Sequence, residues 1–309
     1  MDSEISTVWL FRDGKRGHEN QVLGLAEAFE RRRNSRIESV LLPHEESLAA
    51  RWGRLRDALR TLPRPSLLLG AGHATHLALL WAARRCRAPS VVLMQPSLPG
   101  FLFDFVVAPR HDLAAGGDGG FGKRYLATRG AINRVRYDPV RKERLGLILV
   151  GGPSREHGWN PDELSEAIRA VVASEPDRRW VLTNSRRTPP GFAERLRTGE
   201  PAVECREATE TGPDWLPDQL ARAETVWVTR DSVSMIYEAL TAGARVGLLD
   251  VPLRGKPGKL TRGVEELVRE GWATPWERWR ENRKLPAPPE VLNEADRIAE
   301  ELEKRLGWV

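Results

Sequence analysis

The sequence predicts an α/β fold of two doubly wound domains in series, facing a cleft. Short β-branched or leucine-rich runs alternate with amphipathic stretches, the links between them are short, and the alternation fades only once, from Arg110 to Arg144. A chain of 309 residues is too long for one typical core and suits two domains of roughly 150 residues each. The expected domains are residues 1–138 and 145–309.

Val8 to Phe11 reads as the first strand and Asp13 to His18 as its loop. Asn20 to Arg33 follows as a helix, with Val22, Leu25, Ala26 and Phe29 on one face. Ile37 to Leu42 is a second strand, and His44 to Thr61 is mostly helix. Ser66 to Leu69 is a third strand ending at Gly70-Ala71-Gly72, with a helix from Ala74 to Arg85 behind it. Ser90 to Met94 and Phe103 to Ala108 complete the first set of strands. Glycines from Gly116 to Gly122 predict a flexible loop, and the basic, apolar-poor stretch Arg134 to Arg144 an interdomain link.

The pattern then restarts. Leu145 to Val150 is a strand into Gly151-Gly152-Pro153-Ser154, and Pro161 to Ala173 is a helix with Pro161 near its first position. Trp180 to Thr183 is a strand into Asn184-Ser185-Arg186-Arg187-Thr188-Pro189. Thr225 to Thr229 is another, breaking at the elbow Arg230-Asp231-Ser232-Val233-Ser234 before a helix over Met235 to Leu240. Arg245 to Leu249 returns as a strand, and Glu294 to Leu306 is a final amphipathic helix. Alternation with short links predicts largely parallel sheets.

Composition narrows the function classes. Charged residues at 29% and hydrophobic ones at 40% are ordinary for a globular protein. No apolar run approaches the roughly 18 to 20 residues that cross a bilayer, and the polar start reads as no signal peptide. Two isolated cysteines, without CxxC or zinc spacing, suit a reducing cytoplasm, the expected compartment. Residues 1–138 hold 21 Lys and Arg against 14 Asp and Glu, a net of +7, while the remainder nets −2. Much of that excess is arginine, and it reads either as a face drawn to an anionic membrane or as solvated helix surface. Aromatic residues do not interleave with the basic runs, so nucleic acid is not expected.

In open α/β sheets ligands sit beyond the carboxyl ends of strands, and every loop singled out above lies at such an end. The elbow presents Asp231, Ser232 and Ser234 at a positive helix start, where side-chain oxygens suit an N-cap and free N–H groups suit a diphosphate. Glu238, about one turn in, is placed to accept hydrogen bonds from two ribose hydroxyls. Gly151, Gly152, Ser154 and Ser185 offer donors from neighbouring loops, and Arg186 and Arg187 offer bidentate contacts to phosphate oxygens. An ordinary crossover with a good N-cap would read the same way at the elbow alone. The first loop, Asp13 to Gln21, adds Lys15, Arg16 and His18, and its spacing is neither GxxxxGK[ST] nor GxGxxG. Gly70-Ala71-Gly72 lacks the third glycine of a dinucleotide fingerprint, and His73 and His76 read equally as caps or ligands. With no DxD pair and no HExxH, neither metal nor cofactor is expected.

Taken together, Asp13 to Gln21, Gly151 to Ser154, Thr183 to Pro189 and Thr229 to Ala239 resemble the ELM-like family. It is named for a plant mitochondrial fission factor, and its bacterial members are classed as glycosyltransferases of GT-B type. The resemblance implies two Rossmann-like domains, an acceptor-side one first and a nucleotide-sugar-binding one second, with the final helix crossing back onto the first. It also implies that Ser232 and Ser234 meet the diphosphate and Glu238 the ribose. The reading is a metal-independent glycosyltransferase that uses a nucleoside-diphosphate sugar, with a glycan or lipid-linked glycan as acceptor. It would be cytoplasmic, with peripheral contact at the inner membrane face. His18 is the candidate general base, and Lys15 and Arg16 would reach the diphosphate from the facing domain. The alternatives are a nucleotide-sugar epimerase of the same fold and a non-catalytic, membrane-associated interaction protein.

Overall fold

A computed structural model describes residues 6–113, 122–200 and 202–308. The chain divides into two compact units, residues 1–134 with 294–309 as unit 1 and residues 135–293 as unit 2. Apart from Gly122, the expected glycine loop lies outside the described residues.

Unit 1 runs β1 (Thr7–Arg12), α1 (Arg16–Arg33), β2 (Arg36–Leu41), α2 (Leu48–Thr61), β3 (Leu67–Ala71), α3 (His73–Cys86), β4 (Ser90–Leu93), β5 (Phe105–Pro109), α4 (Arg110–Leu113) and β6 (Tyr125–Thr128). Its six strands pair in the order β2-β1-β3-β4-β5-β6, every pair parallel. The two faces of β1 explain the continuous apolar run, because helices cover both sides. Val8 and Leu10 join Leu25 and Phe29 of α1, while Trp9 and Phe11 join Leu55 of α2 and Leu79 of α3.

Unit 2 runs β7 (Glu143–Val150), α5 (Pro161–Ser174), β8 (Arg179–Asn184), α6 (Phe192–Gly199), β9 (Val203–Arg206), α7 (Trp215–Arg222), β10 (Ala223–Thr229), α8 (Val233–Thr241), β11 (Arg245–Leu249), α9 (Lys259–Arg269), β12 (Ala273–Pro275) and α10 (Trp276–Asn282). The order is β12-β11-β10-β7-β8-β9, again all parallel. Two tryptophans find room by facing glycine. Trp180 is in register with Gly146 and Trp227 with Gly247, and a Cβ at either glycine would stand 2.4 or 2.5 Å from an indole carbon. Trp227 then packs edge-on against Trp279 at 5.0 Å, which pins α10 to the sheet.

Several boundaries differ from the sequence reading. The helix α1 starts at Arg16, so Arg16 and His18 belong to its first turn instead of a loop. The Asp13 carboxylate accepts the Lys15 N–H at 3.0 Å, and the Lys15 carbonyl accepts the His18 and Glu19 N–H groups, which closes the turn early. The strand β6 falls where the pattern fades, and only Leu126 and Thr128 of its four residues are buried. The second domain, expected to reach residue 309, ends at Asn293. Beyond it α11 (Glu294–Leu306) lies along α1 in unit 1, where Ala295, Ile298, Ala299 and Leu302 enter the core that holds Leu25 and Phe29. Arg31 pairs with Asp296 at 2.7 Å, Arg32 with the buried Glu303 at 2.8 Å, and Arg33 donates to the Trp308 carbonyl at 2.8 Å. No helix among the described residues is long and apolar enough to cross a membrane.

Leu302 is fully buried, so Leu302→Ala should lower unfolding free energy by about 2–5 kcal/mol. Urea denaturation, with the slope unchanged, checks this.

Candidate functional site

In unit 2 three loops leave the carboxyl ends of neighbouring strands β7, β8 and β10, and they are tied to one another before any ligand is considered. Asp231 is the tie, with a side chain only 1% exposed. Its Oδ2 accepts from the Gly152 N–H at 3.0 Å, from Arg187 Nη2 at 2.8 Å and from the Ser232 hydroxyl at 3.3 Å. Arg187 also donates to the Gly152 carbonyl at 2.9 Å, and the Gly151 N–H donates to Thr229 Oγ1 at 2.8 Å. The loops meet so closely that a Cβ on Gly152 would stand 2.1 Å from the Arg187 carbonyl oxygen. Thr188 closes the second loop, accepting the Ser185 N–H at 2.9 Å and donating to the Gly151 carbonyl.

These bonds revise several expected roles. The N–H groups of Gly151 and Gly152 are spent inside the protein, and Arg187 is a strut between loops. The Ser154 hydroxyl accepts the N–H groups of Glu156 and His157 within its own turn, and the Ser185 hydroxyl accepts that of Arg187. Ser232 is buried, with its hydroxyl held by Asp231 and Arg187. The side-chain cap expected from Asp231 or Ser232 is not made, because the Asp231 carboxylate is turned to Gly152 and Arg187. The start of α8 is therefore left without a side-chain acceptor, and Ser234 is exposed beside it. Arg186 is exposed at the tip of the second loop.

Glu238 lies six residues beyond Ser232 and is partly buried. Its carboxyl has no hydrogen-bond or ion-pair partner among the described residues. Burial alone pushes its pKa up to about 7, with no neighbouring charge contributing. Asp231 Oδ1 is likewise buried without a hydrogen-bond partner among the described residues. The elbow adjoins a cavity of about 220 Å3 lined by His157, Arg230, Asp250, Thr261, Glu265 and Glu277, among others. Burial raises the Asp250 carboxyl to about 6 although Arg230 Nε stands 2.8 Å away, and burial holds the His157 imidazole below its ordinary range. Sequence reasoning passed over His157 and Asp250, since neither carries a motif. The signal available was position, immediately after the loop of β7 and at the end of β11.

In unit 1 the first loop forms a second, smaller constellation. Asp13 is fully buried, and its Oδ2 stands 2.7 Å from His18 Nδ1. The carboxylate accepts Nδ1–H, which leaves Nε2 as the free nitrogen of a ring 21% exposed. Gly72 lies directly against the pair at φ +85°, where a Cβ would stand 2.3 Å from His18 Nδ1 and 2.5 Å from Asp13 Oδ2. Asp13 and His18 are five residues apart, a separation no helical face pairs, so sequence spacing gave Asp13 no role. Lys15 caps α1 through its backbone, and Arg16 is exposed in the first turn. His73 is exposed. His76 is buried against Phe103, near the Ser97 hydroxyl at 3.2 Å, and burial pushes its pKa down to about 4.

Two parallel six-stranded units in series, each with its polar loops at the carboxyl ends of the strands, have the architecture of GT-B glycosyltransferases and their epimerase relatives. The chain belongs to the mitochondrial fission ELM1 family, which matches residues 16–306. A structure described as a UDP-N-acetylglucosamine 2-epimerase from Listeria monocytogenes is similar at TM-score 0.61 and 15% identity, over 99% of this chain and 98% of that one. UDP-GlcNAc 2-epimerase from Methanocaldococcus jannaschii gives 0.57 and 13%, over 97% and 100%. The calicheamicin glycosyltransferase CalG4 gives 0.50 and 17%, over 99% of both chains. No curated protein matches the chain.

Gly152→Ala should destabilise the protein by about 1–3 kcal/mol, since backbone meets backbone and neither loop yields freely. A thermal melt that matches wild type would show that the loops are not packed as described.

Proposed function

We propose that the protein is a glycosyltransferase that takes a nucleoside-diphosphate sugar without a metal ion and transfers its sugar to a glycan or lipid-linked glycan. The observation carrying this reading is Glu238, a partnerless carboxyl one turn inside a helix whose start lacks a side-chain cap. The free N–H groups at the start of α8, with Ser234 and Arg186, suit the diphosphate. Two vicinal hydroxyls of a ribose satisfy both oxygens of Glu238. The adjoining cavity, with its carboxylates and Arg230, suits the hydroxyls of the sugar. The similar structures, UDP-GlcNAc 2-epimerase and the calicheamicin glycosyltransferase, agree with a donor of this class.

In unit 1 His18 is the proposed base. The acceptor oxygen attacks the anomeric carbon, Nε2 takes its proton, and the bond to the diphosphate breaks with the electron pair leaving on phosphate oxygen. Asp13 holds Nδ1–H and stabilises the imidazolium that forms. In unit 2 the helix start and Arg186 stabilise the departing charge. The expected peripheral contact with an anionic membrane at the cytoplasmic face belongs to the same proposal, as the route to a lipid-linked acceptor.

Titration with UDP, GDP, ADP and CMP derivatives should find one nucleotide bound at micromolar strength, and Glu238→Ala should weaken it roughly tenfold or more. Binding of none would overturn the donor site. Ribose hydroxyls donate to an ionised carboxylate, so affinity should rise as pH rises through about 7, and binding at pH 6 should release protons. Calorimetry in buffers of different ionisation enthalpy reads that release, and Glu238→Gln should abolish it. The raised pKa also sets apo stability. The contribution of Glu238 is present below the ordinary carboxylate range and lost as pH rises through about 7.

His18→Ala should lower transfer by about 10²–10⁴ with donor affinity unchanged. Asp13→Asn should shift the pH–rate profile in the same assay. Nucleotide released only when an acceptor is present separates the transferase from an epimerase.

A further inference from the structure

At the amino ends of β3 and β4, the sheet edge opposite the unit 1 loops, lies a cavity of about 610 Å3. Arg56 and Arg60 enter it from the last turns of α2, Arg64 from the loop before β3, and Arg85 and Arg87 from the end of α3. No Asp or Glu lines it. Arg64 is fixed by donating Nε and Nη2 to the Cys86 carbonyl at 3.1 and 2.8 Å. Arg56, Arg60, Arg85 and Arg87 have no hydrogen-bond or ion-pair partner for their side chains among the described residues. Arg54, on the same helix as Arg56, is by contrast held bidentately by Glu46 at 2.6 and 2.9 Å.

Basic residues favour helix C-termini, which accounts for Arg60 and Arg85 taken singly. It does not account for Arg56, a turn further back, or for three segments converging on a cavity without a carboxylate. Arg87 is further evidence, since it occupies a left-handed position (φ 51°) where glycine is the favoured residue. Four unneutralised guanidinium groups around one concavity repel one another, and a multiply charged oxyanion relieves that repulsion while accepting bidentate bonds.

We propose that this cavity binds a phosphate-bearing anion. Its volume is far larger than inorganic phosphate needs and falls among small-molecule sites, so the ligand carries an organic part beside its phosphate. Trp81, partly exposed and edge-on to Trp52 at 5.3 Å, offers that part an aromatic wall. A soluble phosphate ester and a phospholipid headgroup share this chemistry. The site is independent of the donor reading, because it rests on residues of unit 1 alone.

Pyrophosphate titrated by calorimetry and cosedimentation with phosphatidylcholine vesicles, with and without phosphatidylglycerol, distinguish the two sources. Arg60→Glu/Arg85→Glu should weaken one or both roughly tenfold or more, and Arg60→Lys/Arg85→Lys should retain part of the binding. Repeating the titration in Ser234→Ala/Glu238→Ala keeps the donor site out of the result, since the effect of charge reversal should be equal in both backgrounds. Loss of pyrophosphate binding supports a soluble ligand, and loss of vesicle binding alone supports a headgroup. Should the glutamate pair fail to fold by circular dichroism, Arg60→Gln/Arg85→Gln carries the same test. Unchanged binding in both assays overturns the proposal. So does an equal loss in the charge-matched pair Arg169→Glu/Arg262→Glu of unit 2.

Discussion

Everything at the carboxyl edge of the second sheet depends on the contact between Asp231 and Arg187. One carboxylate oxygen collects a backbone N–H from the loop of β7, a guanidinium from the loop of β8 and a hydroxyl from its own elbow. A buried carboxylate is stable only when its charge is met, and here two separate loops must come in to meet it. The consequence reaches the helix. Because Asp231 is drawn sideways, it cannot cap α8, and the cap position stays free of protein acceptors. The interaction that orders the loops is therefore also what leaves the helix end available to an anion.

Two further acids, Asp13 of unit 1 and Glu238 of unit 2, are held in opposite ways. In unit 1 Asp13 is paired, with its oxygens divided between the Lys15 N–H and His18, so its burial is compensated and serves to orient a ring. In unit 2 Glu238 is uncompensated, and its elevated pKa is the physical mark of that. A paired buried acid positions something, whereas an unpaired one waits for a partner from outside.

The fold was legible in the sequence chiefly where strands are buried on both faces, although β2, with only Val40 buried, was read as well. β1, β3, β7, β8, β10 and β11 are continuous apolar runs and were read within a residue or two. The edge strands β6 and β9, at four residues each, bury too little to show a period. The final helix was legible as a helix, but its attachment was implied only by resemblance, since an apolar stripe such as Ile298 to Leu302 does not name its partner. The site was legible as loops and not as bonds. Glycine pairs look alike whether their N–H groups face a ligand or, as with Gly152, a neighbouring loop. Asp13 and His18 met through a turn at Gly14 and the bare face of Gly72, neither of which spacing reveals.

The return of α11 makes unit 1 discontinuous along the chain. Unit 2 is one uninterrupted segment, complete before the last residues of the chain are made, whereas unit 1 is composed of two segments separated by the whole of unit 2. Residues 1–134 are therefore made well before the helix that packs beside Leu25 and Phe29. The apolar flank of α1 thus cannot be covered by α11 until the residues of unit 2 have been made.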